Sequence, residues 1–493
     1  MLMDILLKVI GFHWDNRIHA RNIIARIIIF NFLTFALNSS INAQMHPAVA
    51  QRFDAFEQAW LNEKDAILRD QAIDQLEPLF LAQLTGQTGK ASEIIDRARR
   101  TLLKSSNSND WIDSLQTNVE KSIIDPEYDS LKITINHAYT PVTAITKKAS
   151  IDFAIYNHGI LASEFSIKSL SIPYTGFVKI SKLSGDIAIN WRIHVDGKEV
   201  TILKYPCLHI LSLPNLLKRT SILSQKRAII EKLPRSIGRQ TWLFYHDCLS
   251  SHLDGTSKKF DLQIDASIFD KLERSSPENI TSGKWLIPTP NFNGVLVLPC
   301  QGIDKIVRVV LPTSFKAGSS AHPLLVALHG AGNSENQFAV CHAQQFASRC
   351  SQNGWILACP RNGICEDLQK QLDSWLGVAT GPMAILGHSQ GAAQALAFAA
   401  RKPQGVKAVV ALGGSGQIGN GAEYKKISIF LGIGSRDIAS NAVTKLATQL
   451  QELGVTSVEF HSYRGVEHLM IVQAAIDDIF EFLKKSLIHT TPS

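Results

Sequence analysis

Gly387-His388-Ser389-Gln390-Gly391 decides the reading of this chain. The motif is Gly-x-Ser-x-Gly, with the apolar run Met383 to Leu386 before it and the small-residue run Gly391 to Ala400 after it. A strand passing into a helix through so few residues needs a sharp turn, and that turn lifts Ser389 clear of the sheet. Gly387 and Gly391 leave room for the neighbouring strand and helix to approach. Ser389 is therefore the candidate nucleophile. It needs a base, a group that orients the base, and donors for a developing negative oxygen.

Each of these needs has a candidate. Leu324 to Leu328 is a continuous apolar run, as expected of a buried parallel strand, and His329-Gly330-Ala331-Gly332-Asn333 comes directly after it. The backbone N–H groups of Ala331 and Gln390 are the candidate oxyanion donors, with His329, Gly330 and Gly332 supporting the first of them. Ile427 to Gly432 reads as a strand and Ile433 to Asp437 as the loop beyond it. That puts Asp437 at a carboxyl end, where open α/β sheets place their sites. A helix cap for the run from Ala442 is the competing reading. Asp373 is a weaker rival within an expected helix before the serine, and Asp477 and Asp478 read as solvated helix-face charges. Ser457 to Tyr463 reads as the last strand and Arg464 to His468 as its loop. A final helix then starts near Leu469 and carries Ile476, Ile479, Phe480 and Leu483. His468 is the candidate base. His461 lies inside the strand and reads as structural, and the His388 side chain is expected to point away from Ser389 onto a neighbour. The order Ser389, Asp437, His468 is that of one known triad arrangement.

Residues from about Val297 to Leu487 resemble the alpha/beta-hydrolase esterases related to polyhydroxybutyrate depolymerases, phospholipase/carboxylesterases and dienelactone hydrolases. The resemblance rests on Leu328-His329-Gly330-Ala331-Gly332, Gly387-His388-Ser389-Gln390-Gly391-Ala392-Ala393, Gly434-Ser435-Arg436-Asp437 and Gly465-Val466-Glu467-His468. It implies a three-layer α/β domain and acyl transfer to water by Ser389, Asp437 and His468. It implies no metal and no organic cofactor. The implied substrate is a small-molecule or polymeric ester. Two departures stand out: no marked aromatic binding module, and Arg436 beside Asp437 where many relatives carry a small or apolar residue.

The chain has 493 residues, which suggests more than one domain. A formal charge of +7 is modest at this length, and no basic tract is interleaved with aromatics, which argues against nucleic-acid binding. Lys8, Arg17, Arg21 and Arg26 precede the apolar run Ile27 to Leu37, and Asn38 to Ala43 offers a small-residue processing site. Residues 1–43 therefore read as an export signal, giving an extracytoplasmic protein, periplasmic or secreted. An uncleaved segment would instead tether the chain to a membrane, and an ordinary N-terminal helix is the third reading. The cysteines are at 207, 248, 300, 341, 350, 359 and 365. Disulfides and buried thiols are both open, and zinc-ligand spacing is absent.

Ahead of the catalytic-type region, residues 44–110 read as helical, with Phe53, Phe56 and Trp60 on one spacing and Ile73, Leu76, Phe80 and Leu81 on another. Their aromatics read as core. Residues 111–272 read as a β-rich accessory domain with strands such as Lys132–Asn136, Ile151–Ile155, Ile187–Ile193 and Phe260–Asp265. A basic helical patch, Leu216 to Leu233, interrupts it and reads as a solvated face. Residues 273–292 read as a linker, and 293–490 as the α/β domain, entered through the strand pair Gly294–Pro299 and Ile306–Pro312.

Two other functions compete with the serine esterase. One is a serine peptidase of prolyl-oligopeptidase-like layout, although no propeller blades can be traced. The other is a non-catalytic surface- or carbohydrate-binding protein that uses the same scaffold.

Overall fold

The computed structural model describes residues 47–488, apart from 105–109, 128–129, 143–147, 179–182, 201–207, 254–264, 319–320, 402–404, 417 and 419–420. The expected signal, Cys207 and most of the expected strand Phe260–Asp265 lie outside the described residues. Among the described residues, five helices come first: α1 (Pro47–Asn62), α2 (Ala66–Asp74), α3 (Leu79–Leu84), α4 (Thr88–Leu102) and the single turn α5 (Asp110–Asp113). Asp65 starts α2 by accepting from the N–H groups of Ile67 and Leu68. Buried charges join these helices to one another and to residue 115. Arg52 donates to Asp96 at 2.8 Å and to the carbonyl of Leu115 at 3.0 Å, and Arg100 pairs with Asp110 and Asp113. Each buried guanidinium thus meets carboxylates, which offsets its desolvation.

The chain then alternates apolar and polar residues. It forms β1 (Leu115–Val119), β2 (Ile123–Ile124), β3 (Leu131–His137), β4 (Ala149–Asn157), β5 (Ile160–Ile167), β6 (Tyr174–Val178), β7 (Gly185–Val195), β8 (Lys198–Val200) and β9 (Leu208–Ser212). One sheet has the order β1-β3-β6 and the other β2-β9-β7-β4-β5, with β8 on β7. Ile133 and Ile135 of the first sheet and Ile151, Phe153, Ile155, Ile187 and Ile189 of the second share one core, as period-two alternation requires.

The basic patch expected to be helical is a helix, but the helices continue through residues 237–281, where a β domain and a linker were expected. They are α6 (Leu216–Ile230), α7 (Ile237–Leu253), α8 (Ala266–Arg274) and α9 (Pro277–Thr281). Trp242, Tyr245, Phe269, Ile280, Trp285 and Leu286 bury themselves in the same core as Val295 and Leu296 of the C-terminal sheet. The basic patch is partly paired rather than solvated. Arg219 bonds Asp270 and Glu273, and Lys226 bonds the carbonyl of Ser275 at 2.8 Å.

The C-terminal sheet contains β10 (Asn293–Cys300), β11 (Ile303–Val310), β12 (Leu324–Leu328), β13 (Ile356–Pro360), β14 (Met383–His388), β15 (Val406–Leu412), β16 (Ser428–Gly434) and β17 (Val458–Tyr463). Their order is β10-β11-β13-β12-β14-β15-β16-β17. β11 runs antiparallel to both neighbours, and the pairings from β13 to β17 are parallel. The connecting helices are α10 (Gln345–Gln352), α11 (Leu368–Leu376), α12 (Gln390–Arg401), α13 (Ser440–Glu452), the turn α14 (Ile471–Ala474) and α15 (Ile476–Ile488). Leu324, Val326 and Leu328 face a core shared with α6–α9 and α11–α13, while Leu325 and Ala327 face a second core. That second core holds Ile479, Phe480 and Leu483 of α15. It also holds Phe53, Phe56, Trp60, Ile73 and Leu76 of the N-terminal helices. The N-terminal helices are thus a layer on the central sheet. No helix among the described residues is long and apolar enough to cross a membrane.

Candidate active site

Strands β14, β15, β16 and β17 are parallel neighbours, so their carboxyl ends lie along one edge. Ser389 comes after β14, Asp437 after β16 and His468 after β17. The structure brings the three side chains together. Ser389 Oγ is 2.9 Å from His468 Nε2, and His468 Nδ1 lies 3.0 Å from both carboxylate oxygens of Asp437. The Asp437 carboxylate accepts a second hydrogen bond, from the Ala439 N–H at 2.8 Å, which fixes its rotamer. Burial pushes the His468 imidazole toward the neutral form, but the Asp437 hydrogen bond and charge and the Glu467 charge outweigh it. The net result is a pKa above the ordinary histidine value.

Backbone geometry explains the glycines of the motif. Ser389 has φ of +55°, a left-handed conformation that costs a non-glycine residue energy and marks a turn held by its surroundings. Its N–H donates to the Leu412 carbonyl of β15 at 2.8 Å. A Cβ on Gly391 would sit 2.2 Å from the Leu328 carbonyl oxygen, and one on Gly387 would sit 2.1 Å from the Gly391 oxygen. Only glycine lets α12 lie this close to β12.

The loop after β12 abuts the serine. A Cβ on Gly330 would come within 3.3 Å of Ser389 Cβ. His329 Nδ1 donates to the Gly330 carbonyl at 2.8 Å, and its Nε2 accepts from the Asn362 N–H at 3.2 Å. Burial holds this imidazole below its usual pKa, consistent with a single neutral tautomer. The Gly330 carbonyl and the Ala331 N–H belong to one planar peptide, so His329 fixes the direction of the candidate donor. Gln390 is the first residue of α12, and its N–H precedes the intrahelical ladder.

A buried chain of hydrogen bonds ties the three loops together. The Gly330 N–H donates to Gln337 Oε1 at 3.0 Å, Gln337 Nε2 reaches His388 Nδ1 at 3.4 Å, and His388 Nε2 donates to the His468 carbonyl at 2.9 Å. His388 does point away from Ser389 onto a neighbour, and the neighbour is the backbone of His468. Burial first, then the nearby His468, lowers the His388 pKa to about 3, so it stays neutral and can donate and accept at once. The adjacency of His388 to the serine was a sequence signal, whereas Gln337 carried none.

The N-terminal helices reach the same edge. The Phe80 ring meets the His468 ring edge-on, with centroids 5.2 Å apart at 70°. Arg436 turns away from the serine, pairs with Asp74 and donates to the Asp70 carbonyl at 3.3 Å. Glu57 of α1 bonds His342 Nδ1 at 2.8 Å in a fully enclosed contact. Phe80 is half-buried and Leu81 is exposed, so these two depart from the core role read from their spacing.

The rivals lie elsewhere. Asp373 accepts from the Thr380 N–H, His461 stacks on Phe430, and Asp477 pairs with Arg349. Asp478 accepts from the Tyr463 hydroxyl at 2.5 Å and so is more than a solvated charge. Cys300 and Cys365 form a disulfide, and Asp367 lies beside them as the third member of the one metal-type cluster among the described residues. No member of it belongs to the serine site.

A sequence profile described as alpha/beta hydrolase fold matches residues 364–462, which carry Ser389 and Asp437 within the strand order given above. The C-terminal domain has the alpha/beta hydrolase fold. No curated protein matches the chain. Among solved structures, the chain is similar to a ferulic acid esterase, at 16% identity, with 40% of this chain and 97% of that one covered and a TM-score of 0.35. The feruloyl esterase module from Clostridium thermocellum complexed with sinapinate gives 15% identity, 42% and 92% coverage and a TM-score of 0.35. The S-formylglutathione hydrolase FrmB from Staphylococcus aureus gives 16%, 40%, 99% and 0.32. His468 and the Ala331 loop of the hydrolase domain fall outside the matched residues, so their place at the site rests on geometry.

Proposed function

We propose that this chain is a serine hydrolase that cleaves carboxylic esters through an acyl-enzyme. The observation that carries the reading is the continuous line of hydrogen bonds Asp437–His468–Ser389 at 3.0 and 2.9 Å. His468 Nε2 takes the Ser389 proton as Oγ attacks the ester carbonyl. Asp437 holds the Nδ1–H tautomer and balances the imidazolium charge. The Ala331 and Gln390 N–H groups receive the oxyanion. When the intermediate collapses, the C–O bond to the alcohol breaks and His468 returns the proton to the leaving oxygen. Water, activated by the same imidazole, then releases the acid and restores Ser389.

The substrate class is a small-molecule or polymeric ester. We place the protein outside the cytoplasm. The basic-then-apolar segment within residues 1–43 and the Cys300–Cys365 disulfide both support an oxidising compartment.

The test is hydrolysis of alkyl esters, aryl esters and aminoacyl-nitroanilides by the wild type and Ser389→Ala, with fluorophosphonate labelling and then peptide mapping. Ester turnover and labelling at Ser389, both lost in the variant, are expected. Turnover of nitroanilides alone would make it a peptidase. Silence on every substrate without labelling would leave only the scaffold reading.

A further inference from the structure

We infer that Phe80, from the helices that precede the hydrolase domain, is a specificity-determining residue facing the alcohol portion of the ester. The inference rests on the reading of Ser389 as nucleophile. In acylation, the proton on His468 Nε2 must reach the leaving oxygen. The alcohol portion therefore departs on the imidazole side of Ser389. Phe80 is the aromatic ring that α3 lays against that imidazole, 5.2 Å between centroids and edge-on at 70°.

The ring is held in place rather than left loose. Leu79 and Ala82, on either side of it in α3, are 0% and 5% exposed and belong to the core that also holds Val466 and Met470 from the histidine loop. The preceding helix is fastened to the acid loop through Asp74 and Arg436. It also crowds the histidine loop, where a Cβ on Gly465 would lie 2.6 Å from Asp70 Oδ1. Yet Phe80 itself keeps part of its surface open. Leu81 and Ile438, the next residues after Phe80 and Asp437, are 64% and 71% exposed. An aromatic wall that keeps part of its surface open favours an alcohol with an aromatic or extended apolar face over a short alkyl alcohol.

The experiment compares benzyl butyrate with methyl butyrate, two esters that form the same butyryl-enzyme, by acid release in a pH-stat. Because kcat/KM reports acylation and the two esters differ only in the alcohol, their ratio isolates the leaving-group side. Phe80→Ala should cut the benzyl-to-methyl ratio of kcat/KM by about tenfold, the scale of an apolar pocket contact. Phe80→Leu, which keeps apolar bulk, should give a smaller cut and supplies the reading if the alanine variant does not fold. Deacylation, measured as decay of preformed butyryl-enzyme, should stay unchanged. An unaltered ratio, with both esters slowed equally, would overturn the assignment and make Phe80 a mere support for His468. Absence of any Ser389-dependent turnover in the wild type would instead overturn the catalytic reading and this one together.

Discussion

His388 Nε2 donates to the main-chain oxygen of His468 at 2.9 Å, so the residue before the serine holds the backbone of the residue that faces it. Because Gln337 bridges His388 to the Gly330 N–H, one neutral imidazole couples the serine turn, the histidine loop and the loop carrying Ala331. His388→Leu strands a buried carbonyl and a buried amide, at a cost of about 1–3 kcal/mol for each group left unpaired. We expect a lower unfolding temperature and slower fluorophosphonate labelling of Ser389. His388→Gln, which restores one N–H, should recover part of both. Labelling at the wild-type rate in the leucine variant would exclude a positioning role.

The pH dependence of kcat/KM should show a single acidic limb from His468, lying above the ordinary histidine pKa of about 6.5. Activity requires the neutral base, so it rises with pH through this limb. Asp437→Asn removes the Asp437 charge that raises the value and leaves only the Glu467 charge to oppose burial, which lowers it. The limb should move to lower pH while the plateau falls by about 10⁴-fold, as when a triad carboxylate loses its charge. A limb that keeps its position in Asp437→Asn would assign the titration to another group.

Glu467 supplies a stability prediction. Burial raises its pKa from 4.5 to about 7, against the lowering effect of the Leu469 and Met470 N–H groups and of the His468 charge. The native state therefore binds this proton more tightly than the unfolded chain. The associated stability is full below the unfolded pKa and is lost as pH rises through about 7. Glu467→Gln is neutral throughout, so it should match the wild type in unfolding temperature near pH 4 and exceed it near pH 8. A difference that does not grow between those two pH values would contradict the assignment.

His329 fixes the peptide that carries the Ala331 N–H. His329→Ala should lower kcat by about 10- to 100-fold, less than the 10²–10³ lost when an oxyanion donor is removed outright, with little change in KM. Steady-state kinetics on one ester suffices. A change confined to KM would place His329 in ground-state binding instead.

The central strands were legible because parallel strands buried on both faces read as unbroken apolar runs, as Leu324 to Leu328 does. The serine turn was legible because steric demand at Gly387 and Gly391 leaves no other residue. Phe80 was not. Helical spacing says that a face is apolar, but it does not say whether that face meets its own bundle or a loop hundreds of residues later. Residues 273–292 read as a linker for a related reason. Ser276 caps α9 and Pro277 opens it, so the signals of a short helix look like those of a turn-rich connection. Trp285 and Leu286 nevertheless bury into the sheet's core. Likewise, the partners of Arg219 are carboxylates on α8, about fifty positions away, and local charge counting does not reach them.

The layer formed by α1–α3 has a consequence for how the molecule is made. Glu57 meets His342 across 285 positions, and Arg436 meets Asp70 across 366. These helices, made hundreds of residues before the histidine loop and the final helix, must wait for those distant partners before their apolar faces are fully covered. Such distant closure is slow, and surface left open in the interval invites aggregation or capture by a holdase. A nascent chain halted before residue 468 would present those faces with no histidine loop to receive them. The Phe80 face and the base it packs against are therefore both complete only once the histidine loop has been made.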